Sequence, residues 1–414
     1  MPFSCCLDIW YEEISYVFMF VPHLNEFPSF DLIKLLSTCF GKPTGDTSVC
    51  ILIDLPELSE MVNHKFLESN DFSVQAHAVD KFYNPLRGDL GKEFNVSKID
   101  LFAFKTTFGS NLDPEDDAID SSGNTLSLDK DVYPNYDIIL AITDYSLTAP
   151  LTAKAKVYGF RGATLHGLND IILNSGLSVD YNDISKQAEV FRAVLTQSDN
   201  FEITFETTFG HYTLRIDCEK QEAQKSHGLC PAGKPDVANL PAGEVYFVPS
   251  GASGSFPFRY SDGTLAEMIV EDGKITSAKF LSGDEKRVEM RNKQLSEDPA
   301  TGIIGELGFG TQLLPFSGKD IQDEKIFGTC HVATGRSDHL GGNLTPDLFN
   351  SKMNASHDDI LYAPPKTPEI NVSSVKMHKN GSSTEIFANY EPTSWLLDQV
   401  SSEYPVEKFA AVPV

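Results

Sequence analysis

Ser48 to Leu55 reads SVCILIDL, with five apolar side chains in succession from Val49 to Ile53. A strand with one wet face alternates apolar and polar residues, whereas a strand covered on both faces runs apolar without a break. The stretch therefore predicts a buried strand of a parallel sheet. Upstream, Asp31 to Cys39 (DLIKLLSTC) carries its apolar residues at helical spacing. Downstream, Lys98 to Phe104 (KIDLFAF) and Tyr136 to Ile142 (YDIILAI) repeat the apolar run, and Ile184 to Leu195 reads as an amphipathic helix. Strands alternating with helices over residues 28–200 predict an α/β N-terminal domain with a mainly parallel sheet. The acidic stretch Ser110 to Lys130, with its Gly and Ser residues, reads as an exposed loop within it.

After residue 200 the pattern changes to strands and tight turns. Phe201 to Phe209 and His211 to Cys218 alternate in part around Gly210, and the pairs Asp262-Gly263 and Asp272-Gly273 are hairpin signals. Glu285 to Gln294 is the one helix-like interruption. The expectation is an α+β C-terminal domain over residues 201–414. The total of 414 residues is consistent with two domains at about 150 residues or somewhat more each.

Composition excludes several function classes. The chain has 33 Lys plus Arg against 59 Asp plus Glu, a formal net charge of −26. Binding to nucleic acid or to anionic lipid needs a concentration of basic residues that this composition opposes, so neither partner is expected. Seven cysteines without a CxxC pair suggest neither a disulfide framework nor a thiolate zinc site. The first 24 residues are interrupted by Asp8, Glu12 and Glu13 and make a poor signal peptide, so a cytoplasmic location is expected. The glycines at 305, 308 and 310 miss the dinucleotide fingerprint, and GASGS at 251–255 is not a nucleophile elbow.

The chemistry is concentrated late in the chain. In His357-Asp358-Asp359, strand alternation directs His357 and Asp359 to one face and Asp358 to the other, which makes half of a site for a divalent transition metal. His331 opens HVATG, where a loop leaves a short strand. Glu244 lies in NLPAGEVYFVP (Asn239 to Pro249) and Glu306 in GIIGELGFG (Gly302 to Gly310). A carboxylate in such apolar text is costly unless it is paired, protonated or bound to a cation. Cys330 reads as a packed free thiol, and Arg336 and His339 as either substrate contacts or supports of the loop before Gly341-Gly342.

The succession NLPAGEVYFVP, GELGFG, DEKIFGTCHVATGRSDHLGG (Asp323 to Gly342) and HDD, together with TAPLTAKAKVYGFRG (Thr148 to Gly162), resembles the aminopeptidase T family of metallo-aminopeptidases, which includes aminopeptidase S. The resemblance runs from about Thr148 to Ala363. It implies a two-domain protein, usually a homodimer, that binds two divalent metal ions, often zinc or cobalt, in its C-terminal domain and acts on a peptide or small-molecule substrate; the donor set by itself suits zinc, cobalt or manganese. Carried over by motif, the ligands are Glu244, Glu306, His331, His357 and Asp359. The family has a tyrosine seven residues after the first histidine, and Asp338 stands there in this chain. Asp338 is expected to ligate or neutralise the metals, and Glu244 to accept a proton from the attacking water as the catalytic carboxylate.

Two other readings use the same residues. His331, His357 and Asp359 alone would make the two-histidine, one-carboxylate site of a mononuclear non-haem iron ring-cleaving dioxygenase resembling dihydroxypyridine dioxygenase. A non-catalytic relative that keeps the fold is the third. Glu244 and Glu306 favour the metal-dependent aminopeptidase, because a single iron needs neither.

Overall fold

The computed structural model describes residues 22–405; the acidic N-terminal stretch discussed above and Cys5 and Cys6 fall outside them, apart from Pro22, His23 and Leu24. Thr47–Leu55 is the central strand of a seven-stranded mixed sheet. It pairs in parallel with Val96–Lys105 on one side and Ile138–Ala141 on the other. Arg161–Thr164 and then Val237–Asn239 extend the parallel part. Alternation along the central strand feeds two separate cores. Val49, Ile51 and Ile53 pack with Leu32, Leu35 and Leu36 of the helix Leu32–Phe40. Cys50 and Leu52 pack on the opposite face with Leu151 and Ala155 of the helix Thr148–Tyr158. Burial on both faces accounts for the unbroken apolar run.

The stretch expected as an exposed loop is more ordered than its composition suggests. Asp117–Ile119 and Thr125–Ser127 add two antiparallel strands to the sheet edge, and Asn111 and Leu112 are buried. The chain also returns to the first sheet after residue 200, since Val237–Asn239 pairs with Arg161–Thr164 and Cys230, Leu240 and Ala242 join the first core.

The remaining strands form two antiparallel sheets. The larger, of eight strands, is built on the hairpin Asn200–Thr207 and Gly210–Asp217 and includes the strands joined at both Asp-Gly turns. The smaller has five strands: Gln224–Ser226, Glu244–Phe247, Ile304–Gly310, Cys330–Gly335 and His357–Tyr362. One core fills the space between these two sheets: Phe201, Phe205 and Phe256 from the larger meet Phe247, Phe309 and Val332 from the smaller, with Phe191 and Leu195 of the helix Tyr181–Leu195. Among the described residues no helix is long and apolar enough to cross a membrane.

Candidate metal centre

The period of two along a strand decides which face of the five-stranded sheet carries the chemistry. Val245, Phe247, Leu307, Phe309, Cys330, Val332 and Tyr362 turn into the sandwich core. Their neighbours Glu244, Glu306, His331, His357 and Asp359 therefore share the other face. Register completes the convergence: Glu244 opposes Gly310, Gly308 opposes His331, and Ala333 lies between Glu306 and Asp359. Small residues stand wherever a ring or carboxylate must lie across the sheet.

Gly308 shows why. A Cβ on it would stand 2.1 Å from Cε1 and 2.3 Å from Nε2 of His331. We expect Gly308→Ala to push the His331 ring off the sheet and lower metal affinity by at least about tenfold, with the fold retained, as read by metal titration beside circular dichroism. Unchanged affinity would show that the ring position does not matter.

The five residues meet in a buried cluster. His331 Nε2 is 3.6 Å from Glu306 Oε1 and 3.8 Å from Glu244 Oε2. His357 Nε2 is 2.9 Å from Glu306 Oε2 and 3.3 Å from Asp359 Oδ1. Glu306 thus presents one oxygen to each histidine. Asp358 turns outward to the Ser356 hydroxyl, as strand alternation requires. Ligand atoms of Glu244, Glu306 and His331 lie within 4.8 Å of one another, and so do those of Glu306, His357 and Asp359.

Asp338 is not brought into the cluster. Its carboxylate accepts from the Arg336 guanidinium at 2.7 and 3.3 Å, and the same guanidinium reaches Asp113 and the Asn111 carbonyl. The physical reason is competition: a buried arginine two residues away captures the carboxylate first. Arg336 also supports the site from its backbone, because its carbonyl accepts from His357 Nδ1–H at 2.6 Å. That bond fixes the tautomer that leaves Nε2 free to bind a cation.

The sequence points to His339 but not to Lys325, Glu324 or His166, which complete the centre with it. Lys325 is wholly buried, its Nζ 2.7 Å from Glu244 Oε2 and 2.5 Å from Glu324 Oε1. Glu324 groups with His331 and Asp359 as a third potential set of donors. His339 packs edge-on against His357 with ring centroids 4.9 Å apart. His166, just past the strand Arg161–Thr164, reaches the same space from the seven-stranded sheet. Cys330 turns away into the core, where burial pushes its thiol up to about 12, which fits a packed residue rather than a nucleophile.

The electrostatics follow from burial opposed by ion pairing. Burial raises the Glu306 carboxyl, but His331 and His357 outweigh it and hold the group at about 2. Burial would lower His331, yet Glu306, Glu324 and Asp359 raise it to about 9. Burial pushes Glu324 up to about 8 against the pull of Lys325, and it drives His166 down to about 4 and His339 to about 3. In the metal-free chain His331 therefore binds a proton more tightly than it does unfolded. Its contribution to stability is full below pH 6.5 and is lost as pH rises to about 9. Glu306 acts oppositely, its contribution being lost as pH falls from 4.5 toward about 2. Because a metal must displace the His331 proton, metal affinity should climb with pH up to about 9, with proton release on binding. Titrating zinc in two buffers of different ionisation enthalpy measures this, and a flat pH profile would contradict it.

The cluster lines a cavity of about 320 Å³. Its other wall is built by residues at or beyond the carboxyl ends of the parallel strands: Asn111, Ser146, His166 and Asn239. That edge of an open α/β sheet is where ligands ordinarily bind.

No protein-family model matches the chain, and no curated protein matches it. Solved structures similar to it include two enzymes. The 2,5-dihydroxypyridine dioxygenase from Pseudomonas putida KT2440 is 13% identical, with 84% of this chain and 92% of that chain covered at a TM-score of 0.52. Wild-type AmpT from Thermus thermophilus is likewise 13% identical, with 87% and 98% covered at a TM-score of 0.49. At such identity the first likeness is one of fold.

Proposed function

We propose that the chain is a metal-dependent hydrolase that releases N-terminal residues from short peptides. The observation that carries this reading is Glu306, whose two oxygens face different histidines while Glu244 joins from the neighbouring strand. The donor set fits divalent cations. Four carboxylates, Glu244, Glu306, Glu324 and Asp359, converge with two imidazoles, and Lys325 is the one ammonium among them. Such oxygen and nitrogen donors without thiolates suit zinc, cobalt or manganese.

His331 and Glu244 would hold one ion, His357 and Asp359 a second, and Glu306 would bridge them. Divalent ions bound there supply Lewis-acid polarisation of a carbonyl and activation of water at neutral pH. The chain's own residues do the rest. Glu244 has one oxygen held by Lys325, and its other oxygen, with no partner among the described residues, is the one we assign to take the water's proton. His357 is oriented by the Arg336 carbonyl, and His339 and His166, both held neutral by burial, close the cavity around the reacting bond.

One observation favours a second reading, an iron oxygenase like the dioxygenase whose fold the chain shares. Lys325 occupies an oxygen of Glu244 that a second ion would use, and His331, His357 and Asp359 suffice for one iron. An aminoacyl-arylamide assay on protein loaded with zinc, cobalt, manganese or ferrous iron separates the two. Release of arylamine with zinc, cobalt or manganese supports the hydrolase. Oxygen consumption with iron on a dihydroxylated aromatic ring, and no arylamine under any metal, would overturn it.

A further inference from the structure

The wall facing the metal centre carries hydrogen-bond donors with no partner among the described residues. The Asn111 side chain is buried, and its Oδ1 accepts from Ala149 N–H at 2.8 Å. The Asn239 Oδ1 accepts from the Thr164 hydroxyl at 3.2 Å. Because both oxygens are committed as acceptors, the amide orientation is set and each Nδ2 is the free end. Neither Nδ2 has a partner among the described residues, and both residues line the cavity. The Asn239 amide ends a relay in which Ser146 donates to Thr148 at 3.1 Å, Thr148 to Thr164 at 2.8 Å and Thr164 to the Asn239 oxygen, one hydroxyl proton serving each link.

Above the relay rises one face of the helix Thr148–Tyr158. Thr148, Thr152 and Lys156 are four residues apart, so they form a single stripe along the cavity. Two other lysines at the cavity are engaged: Lys225 by Glu189 at 2.8 Å and Lys234 by Asp236 at 3.4 Å. Lys156 has no partner among the described residues. Two oriented neutral amides and one ammonium suit a group with one negative charge and two acceptor oxygens.

We propose that this wall is a carboxylate subsite, in which Asn111, Asn239 and Lys156 hold the C-terminal carboxylate of a short peptide while the metal centre holds its N-terminal part. The identity of the ligand as a peptide rests on the hydrolase reading, whereas the donor wall does not. The cavity, at about 320 Å³, lies at the small end of ligand pockets and suits a dipeptide-sized molecule rather than an extended chain.

The test is calorimetric binding to the full-length, zinc-loaded protein of a reduced-amide dipeptide analogue and of its C-terminal carboxamide. The free carboxylate should bind about tenfold or more tightly, the return expected of charge-assisted hydrogen bonds. Lys156→Met and Asn239→Ala should each bring that ratio toward one, and Lys156→Arg should keep it, with thermal midpoints confirming that each variant is folded. Equal affinity of the two analogues, a ratio unmoved by both substitutions, or no binding of either analogue would overturn the proposal. A carboxylate preference that both substitutions abolish, in a protein that does not cleave the parent dipeptide, supports the subsite and counts against the hydrolase reading alone.

Discussion

Glu306→Gln should strip the metal centre while leaving the chain folded. Glu306 is buried between the two histidines, at 3.6 Å from His331 Nε2 and 2.9 Å from His357 Nε2. The substitution keeps the shape and removes the charge that both imidazoles face. Loss of an outer partner of a metal ligand costs about 10–100-fold in affinity, and loss of a bridging ligand should exceed that range. Hydrolysis should fall in parallel. The metal-free variant should also lose the acid-side stabilisation that the depressed Glu306 carboxyl provides, so its stability should vary less between pH 2 and 4.5 than that of the wild type. Dialysis against zinc followed by elemental analysis reads the first effect, and metal retention equal to wild type would remove Glu306 from the site.

Lys325→Met should have the largest effect on stability, and that effect should depend on metal. The ammonium is wholly buried; burial alone would lower its pKa, and Glu244 and Glu324 hold it above the ordinary lysine value instead. Removing one partner from a buried ionic group leaves its counterparts uncompensated, a loss of about 3–5 kcal/mol. In the presence of chelator the variant should show that full loss by urea unfolding. With zinc added, a cation can neutralise Glu244 and Glu324 in place of the ammonium, and a substantial part of the stability should return. A loss of the same size with and without zinc would mean that the lysine and the metal centre are independent.

Both results bear on what sequence can reveal. SVCILIDL was readable because a single run of apolar residues has few structural explanations, and alternate residues of that strand do enter two different cores. HDD was readable because strand periodicity alone places His357 with Asp359 on one face, and Glu306 because a carboxylate in such apolar text is costly unless it is paired, protonated or bound to a cation. The pairing of Gly308 with His331 was not readable, since it depends on register between strands about twenty residues apart. Glu324 and Lys325 sit in D-E-K, which has the composition of a solvated surface; only the fold buries it beneath Glu244. Asp338 matched by position in the motif, but Arg336, two residues earlier, claims its carboxylate. Asn111 and Asn239 carry no local signal at all. They meet because the loop after Val96–Lys105 and the late strand Val237–Asn239 end at the same edge of the sheet, and the second of these returns to the first domain from beyond residue 200.

The acidic composition now divides by function. Most of the 59 carboxylates serve as a solvated surface, whereas Glu244, Glu306, Glu324 and Asp359 converge on one face of a small antiparallel sheet. That convergence is the reason for assigning the centre to cations, and the number bound distinguishes the shared-carboxylate reading from the single-iron one. The direct measurement is the metal content per chain of purified protein equilibrated with zinc and freed of excess ion, compared with Glu306→Gln. About two ions in the wild type, and fewer than one in the variant, is the result predicted for a bridged pair. One ion in both proteins would contradict it.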